Sequence, residues 1–142
     1  MSPGINDPGT AITCIDYLSE LFALRLCKKD FSYFKNKDNQ AVISLRTINF
    51  KELIYFVFVP LRIYCKHDII MLHKMLTALY FLLQSESVIE DAQEIIINEA
   101  NLILQDAKQS ITNEEDLSGV FAIREKIAAI NTTTIELVAL NP

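Results

Sequence analysis

Residues 53–83, LIYFVFVPLRIYCKHDIIMLHKMLTALYFLL, are the most apolar part of the chain and decide its fold. A membrane-spanning helix needs roughly 18 or more consecutive apolar residues. Here Arg62, Lys66, His67, Asp68, His73 and Lys74 interrupt, and the longest uncharged run, Met75 to Ser85, has 11 residues. The stretch therefore reads as core helices. Phe56-Val57-Phe58-Val59 alone would read as a strand, but helical-length patterns lie on both sides. Asn49 suits the N-cap of a helix from Phe50, because its side chain can accept an unpaired backbone N–H. Pro60 is expected to kink or restart that helix. A further helix is expected after Asp68, running to about Gln84.

Downstream, Ser87-Val88-Ile89-Glu90 has the spacing of a capping box. The helix it predicts carries Ile89, Ala92, Ile96, Ala100, Ile103, Ala107 and Ile111 on one stripe. Isoleucine alternating with alanine suits close helix–helix packing. Glu90, Asp91, Glu94 and Asp106 occupy the other face and read as solvated. Asn113 to Asp116 reads as a loop and an acidic helix start, followed by Leu117, Val120, Phe121, Arg124, Ile127 and Ala128. The β-branched Thr132-Thr133-Thr134 weakens that helix. Ile135 to Leu140 is too apolar to float free and is expected on the bundle or on a second chain.

Upstream, Asp7 and Pro8 form a helix start, with Asp7 as N-cap and Pro8 at the first helical position. Ala11, Ile15, Leu18, Phe22 and Leu26 then recur at helical spacing. Between about 31 and 48, two aromatic or β-branched runs flank Lys37-Asp38-Asn39-Gln40, which suggests a β-hairpin lying on the helices. The expected fold is thus mainly α, a bundle of about five helices with one β-hairpin after the first. Residues 1–142 suit a single domain.

Bulk composition narrows the function. The chain is 51% hydrophobic with a net charge of −5, a poor match to non-specific nucleic-acid binding. Residues 1–74 carry a net +3 and residues 75–142 a net −8. The acidic half reads as a solvated face, with an acidic docking surface as the alternative. Cys14, Cys27 and Cys65 cannot all pair and show no CxxC, so free buried thiols in a reducing compartment are expected, with one disulfide as the alternative. Met1-Ser2-Pro3-Gly4 lacks the basic-then-apolar pattern of a signal peptide.

The opening residues carry a family resemblance. Ser2-Pro3-Gly4-Ile5-Asn6-Asp7-Pro8, then Thr10-Ala11 and Thr13-Cys14-Ile15-Asp16, resembles the SPGINDPxTAxTCxD signature of the predicted bacterial membrane proteins called domain of unknown function 2254. Val59-Pro60-Leu61-Arg62-Ile63-Tyr64 is similar to the family's DPIRQY stretch, in the same order along the chain. Gly9 replaces a commonly aromatic residue, Val59 an aspartate and Ile63 a glutamine. The resemblance implies transmembrane helices before the signature. It also implies that this chain is the soluble C-terminal portion of such a protein, excised or from a shortened reading frame. It implies no activity.

Candidate chemistry concentrates at the first helix. Asn6, Asp7, Thr10, Thr13 and Asp16 place polar groups near its start, and Thr13 and Asp16 share a face. Arg62 can pair with Asp16 or Asp7 if the next helix packs there. These six are the candidate ligand-binding residues of a small polar pocket; the alternative is a rigid, capped helix start with one structural ion pair. Anion binding at this helix start is opposed by the charge of Asp7. Cys65, His67, Asp68 and His73 are metal-ligand types without zinc spacing, and Asp68 reads better as an N-cap. No serine or cysteine sits in a nucleophile setting, and phosphate-cradling glycine loops are absent from the sequence. No catalytic residue, metal or cofactor is therefore expected. The expected role is non-enzymatic assembly or regulation, with a small-ligand sensor as the alternative. Expected partners are transmembrane segments of the same protein or a second copy, not nucleic acid. The basic half, nearest those segments, predicts the cytoplasmic side of the membrane.

Overall fold

The structure is a computed structural model that describes residues 8–29, 33–44 and 47–140. Asn6, Asp7 and the first residues of the expected hairpin lie outside them. The elements are α1 (Pro8–Leu26), β1 (Tyr33–Lys35), β2 (Ala41–Ser44), α2 (Phe50–Cys65), α3 (Ile69–Gln84), α4 (Ala92–Ser110) and α5 (Glu114–Ile130). Among the described residues the fold is mainly α, five helices with an antiparallel hairpin after the first, as the patterning predicts.

The central helix is α3. Met71, Leu72, Met75, Leu76, Ala78, Leu79 and Leu82 are buried, around more than one face. A helix apolar on several sides must be enclosed, and α3 touches α1, α2, α4 and α5. Each leucine fully withdrawn from water there contributes about 1.5–3 kcal/mol. Asp68 caps it as expected, accepting from the N–H groups of Ile70 and Met71. On α4 the isoleucine–alanine stripe is buried at Ile96, Ala100, Ile103 and Ala107. Small alanines on that stripe let the neighbouring helices approach closely.

Asn49 and Glu52 form a reciprocal capping box at α2, each side chain accepting from the other's backbone N–H at 2.8 and 3.0 Å. The helix runs through Pro60 without a break. Proline removes the bond to the Phe56 carbonyl, but both residues lie on the exposed side, where water can replace it.

The box predicted at Ser87–Glu90 does not form; α4 starts at Ala92 with no side-chain cap. Ser87 Oγ accepts from Ile89 N–H instead, and Val88 N–H donates to the Leu26 carbonyl at 3.0 Å. A tertiary bond to the end of α1 thus takes the loop away from the helix entrance.

In the hairpin, Asn36 Oδ1 accepts from the N–H groups of Asp38 and Gln40, and Asn39 sits at φ 62°, a left-handed position that asparagine tolerates. Phe34 faces Ile43 across the strands, but they are 57% and 53% exposed. This face does not lie on the helices as expected. The thiols also differ from expectation. All three are free, but Cys14 and Cys27 are exposed rather than buried. After α5 the chain turns at 131–134 and packs back on its own bundle, burying Leu137 and Leu140.

Candidate functional site

Of the six candidate residues, α1 carries Thr10, Thr13 and Asp16, whereas Asn6 and Asp7 lie outside the described residues. Thr13 is exposed and its hydroxyl donates to the Gly9 carbonyl at 2.9 Å, a bond spent within its own helix. Thr10 is exposed as well. Asp16 pairs with Lys74 of α3 at 2.5 Å. A cleft of about 290 Å³ opens beside that pair between α1 and α3, lined by Asp16, Ser19, Lys74, Thr77 and Phe81. Ser19 is buried, with its hydroxyl donating to the Ile15 carbonyl at 2.7 Å.

Arg62 lies elsewhere. Its Nε donates to Glu99 Oε1 at 2.8 Å and its Nη1 to Asp106 Oδ2 at 3.0 Å. Arg62 thus pairs with α4 and not with Asp16, which pairs with Lys74; Asp7 lies outside the described residues. The helical phase explains the difference. Val57, Phe58 and Leu61 border α1, whereas Arg62 lies on the side of α2 that meets α4. The four described candidates are therefore not gathered in one place: Thr10, Thr13 and Asp16 stay on α1, and Arg62 bridges α2 to α4.

Glu99 is the residue that the sequence reading missed. Its side chain is only 7% exposed. Burial pushes its carboxyl above the usual range, Arg62 pulls it back, and the Asp106 charge raises it further. The signal was present: Glu99 lies three residues after Ile96 and four before Ile103, a charge on an otherwise apolar stripe. Such a charge requires a partner. One guanidinium between two carboxylates makes a strong directional tie between α2 and α4. Beside it, Ile54, Tyr55, Asp91, Glu94 and Glu99 line a second cleft of about 260 Å³.

Burial, then the charge of Asp68, raises the Cys65 thiol, which stays protonated at neutral pH and is a poor nucleophile. Among the described residues no three His, Cys, Asp or Glu side chains converge as metal ligands.

A surface is the more prominent feature. Phe22 of α1 lies against Phe50 and Phe58 of α2, with ring centroids 6.2 Å away in both cases. This contact sets α1 and α2 side by side. Tyr17, Leu21 and Leu24 of α1 and Phe56, Ile63 and Tyr64 of α2 are each at least 60% exposed. Eleven of the fifteen exposed large apolar side chains among the described residues precede residue 75. Among the described residues, no helix is long and apolar enough to cross a membrane.

Comparison with known proteins agrees with the concentration of features in this half. The family model described as Predicted membrane protein (DUF2254) matches residues 1–80, which span α1, the hairpin, α2 and most of α3. No curated protein and no solved structure matches the chain. A match over more than half of its length makes this chain a member of that family of predicted membrane proteins.

Proposed function

We propose that the chain is a non-catalytic assembly or regulatory domain, residues 1–142 acting together on the cytoplasmic side of a membrane. It docks the outer faces of α1 and α2 on membrane-spanning helices of the same protein. The observation that carries this reading is the apolar surface of Tyr17, Leu21, Leu24, Phe56, Ile63 and Tyr64, inside the residues the family model matches. Scattered exposed apolar side chains are ordinary; three at helical spacing on each of two helices support an interaction role. The net +3 of residues 1–74 supports the cytoplasmic side, since basic segments flanking spans stay there. The full chain is expected to bind a polarity-sensitive dye and detergent micelles. Leu24→Gln with Ile63→Gln should reduce both at least threefold, with stability changed by no more than about 0.5 kcal/mol. Light scattering that finds a strict monomer, with neither dye nor micelle bound, overturns the reading.

A small-ligand sensor is the second reading, favoured by the cleft beside Asp16. Candidate contacts are Asn6, Asp7, Thr10, Thr13 and Asp16, of which Asp16 lines this cleft; Arg62 lies at the α2–α4 contact. Asp16→Ala separates the cases in a thermal-shift screen of small metabolites. Ligand-induced shifts should vanish, while the unliganded protein loses at most about 1 kcal/mol, as for other exposed ion pairs.

A further inference from the structure

The segment Ile135–Leu140 is held in a way that its sequence alone does not demand. Asn101 of α4 grips its main chain with both ends of one amide: Nδ2 donates to the Glu136 carbonyl and Oδ1 accepts from Val138 N–H, each at 2.9 Å. Arg124 of α5 donates to the carbonyls of Leu137 and Val138 at 3.2 and 3.3 Å. Lys108 donates to the Ala139 carbonyl at 3.0 Å. All five contacts from the two helices go to main-chain atoms. Among the described residues, the segment's own side chains make no hydrogen bond. Leu137 and Leu140, three residues apart, supply the apolar anchors at 9% and 6% exposure. Main-chain bonds for affinity and spaced pockets for side chains are the means by which proteins recognise extended peptides.

We propose that the groove between α4 and α5 is a receptor for an extended apolar segment, and that two copies of the chain exchange their Ile135–Leu140 straps through it. The second copy is the occupant because the strap is the segment the groove already fits. The five main-chain contacts are recreated when the strap comes from a neighbour, so exchange gives up only the bonds of the turn itself, those of Asn131 with Thr133 and Ile135 and that of Thr132 with Gln93. Only the short turn at 131–134, closed by Asn131 on Thr133 and Ile135, decides which molecule receives the strap. Exchange of an identical element across a hinge is a low-cost route to a symmetric dimer. A short linker gives the strap an effective concentration on the order of millimolar. The closed monomer therefore dominates in dilute solution, and exchange takes over when copies are crowded or the turn cannot reverse.

Deletion of Thr132–Thr134 removes the reversal. The shortened chain should be a dimer by light scattering at concentrations where the parent is a monomer. Asn101→Ala in that background should weaken the dimer at least tenfold. A second arm does not depend on that deletion folding. In the otherwise full chain, Leu137→Asp with Leu140→Asp ejects the strap, and a fluorescent peptide of residues 131–140 should then bind. Asn101→Ala should weaken that binding at least tenfold. A folded deletion variant that stays monomeric overturns the proposal, as does a dimer insensitive to Asn101→Ala. Failure of the peptide to bind the ejected-strap chain, its helical signal retained, overturns it as well. A dimer abolished instead by Leu24→Gln with Ile63→Gln would belong to the α1–α2 surface and would leave the strap exchange refuted.

Discussion

Arg62→Ala is expected to lower the unfolding free energy by about 3 kcal/mol at pH 7, measured by urea denaturation. The loss lies in what remains behind. Glu99 keeps its carboxylate in the α2–α4 contact at 7% exposure, without the guanidinium that makes its charge tolerable. A value at the low end for buried pairs fits the position of Asp106, which is 26% exposed and can recover some hydration. The dependence on pH has a definite sign. Burial holds Glu99 above its ordinary 4.5, so the native state binds the proton more tightly than the unfolded chain. Its favourable contribution is complete below the unfolded value and is lost as pH rises through the native one. Arg62 opposes that rise by stabilising the ionised form. Without Arg62 the native value moves further up, and the penalty for the substitution grows with pH. Near pH 4, where Glu99 is largely protonated in both states, the loss should fall to about half. Glu99→Gln in the Arg62→Ala background should recover at least about 1 kcal/mol at pH 7, since a neutral amide carries no uncompensated charge. Equal losses at pH 4 and pH 7, without recovery by the amide, would mean that Arg62 acts by packing alone.

That pair also shows what could and could not be read from the sequence. Local signals survived well. Asp68 and Asn49 cap the helices they were expected to cap, and the Asn-rich turn closes the expected hairpin. Each depends on groups within about four residues, so no tertiary information is needed. The heptad-like stripe on α4 likewise reports its own burial. Predictions failed where a distant segment competed. Ser87 had capping-box spacing, but the Leu26 carbonyl, 62 residues away in sequence from Val88, took the loop. Arg62 had two plausible partners near α1, yet the rotation of α2 about its axis aims it at α4. One residue of phase, about 100° on a helix, separates a side chain facing α1 from one facing α4, and composition does not encode that phase. The candidate site was therefore legible as a set of polar residues near the start of α1, but not as a geometry. The apolar surface on α1 and α2 was hidden for a related reason. Tyr17, Leu21 and Leu24 have the same helical spacing as core residues, and only the packing of Phe22 on Phe50 and Phe58 shows which stripe faces inward.

Phe22→Ala tests that packing and carries the largest expected effect, a loss of about 4 kcal/mol. The ring is 5% exposed and meets Phe50 edge-on at 90° and Phe58 at 36°. Truncation removes its transfer energy and both aromatic contacts, the latter worth about 0.5–1.5 kcal/mol each. It also enlarges a void of about 10 Å³ already present among Leu18, Phe22, Val57, Phe58 and Leu61. Phe22→Leu keeps most of the volume and should lose no more than about 1.5 kcal/mol. The damage should be local first. The core of α3, α4 and α5 keeps its mutual contacts, whereas α1 retains its packing on α3 but loses its aromatic tie to α2. Hydrogen exchange should therefore accelerate throughout α1 before it does in α3, the pattern of a cooperative unit opening below the global transition. Because this packing holds α1, with its exposed Tyr17, Leu21 and Leu24, on the bundle, dye binding should change in the same variant. Uniform acceleration across all five helices would show that the Phe22 cluster holds the whole bundle together. A loss below about 1.5 kcal/mol for the alanine variant would show that α1 is held by α3 alone, and the α1–α2 surface would then lose its structural basis.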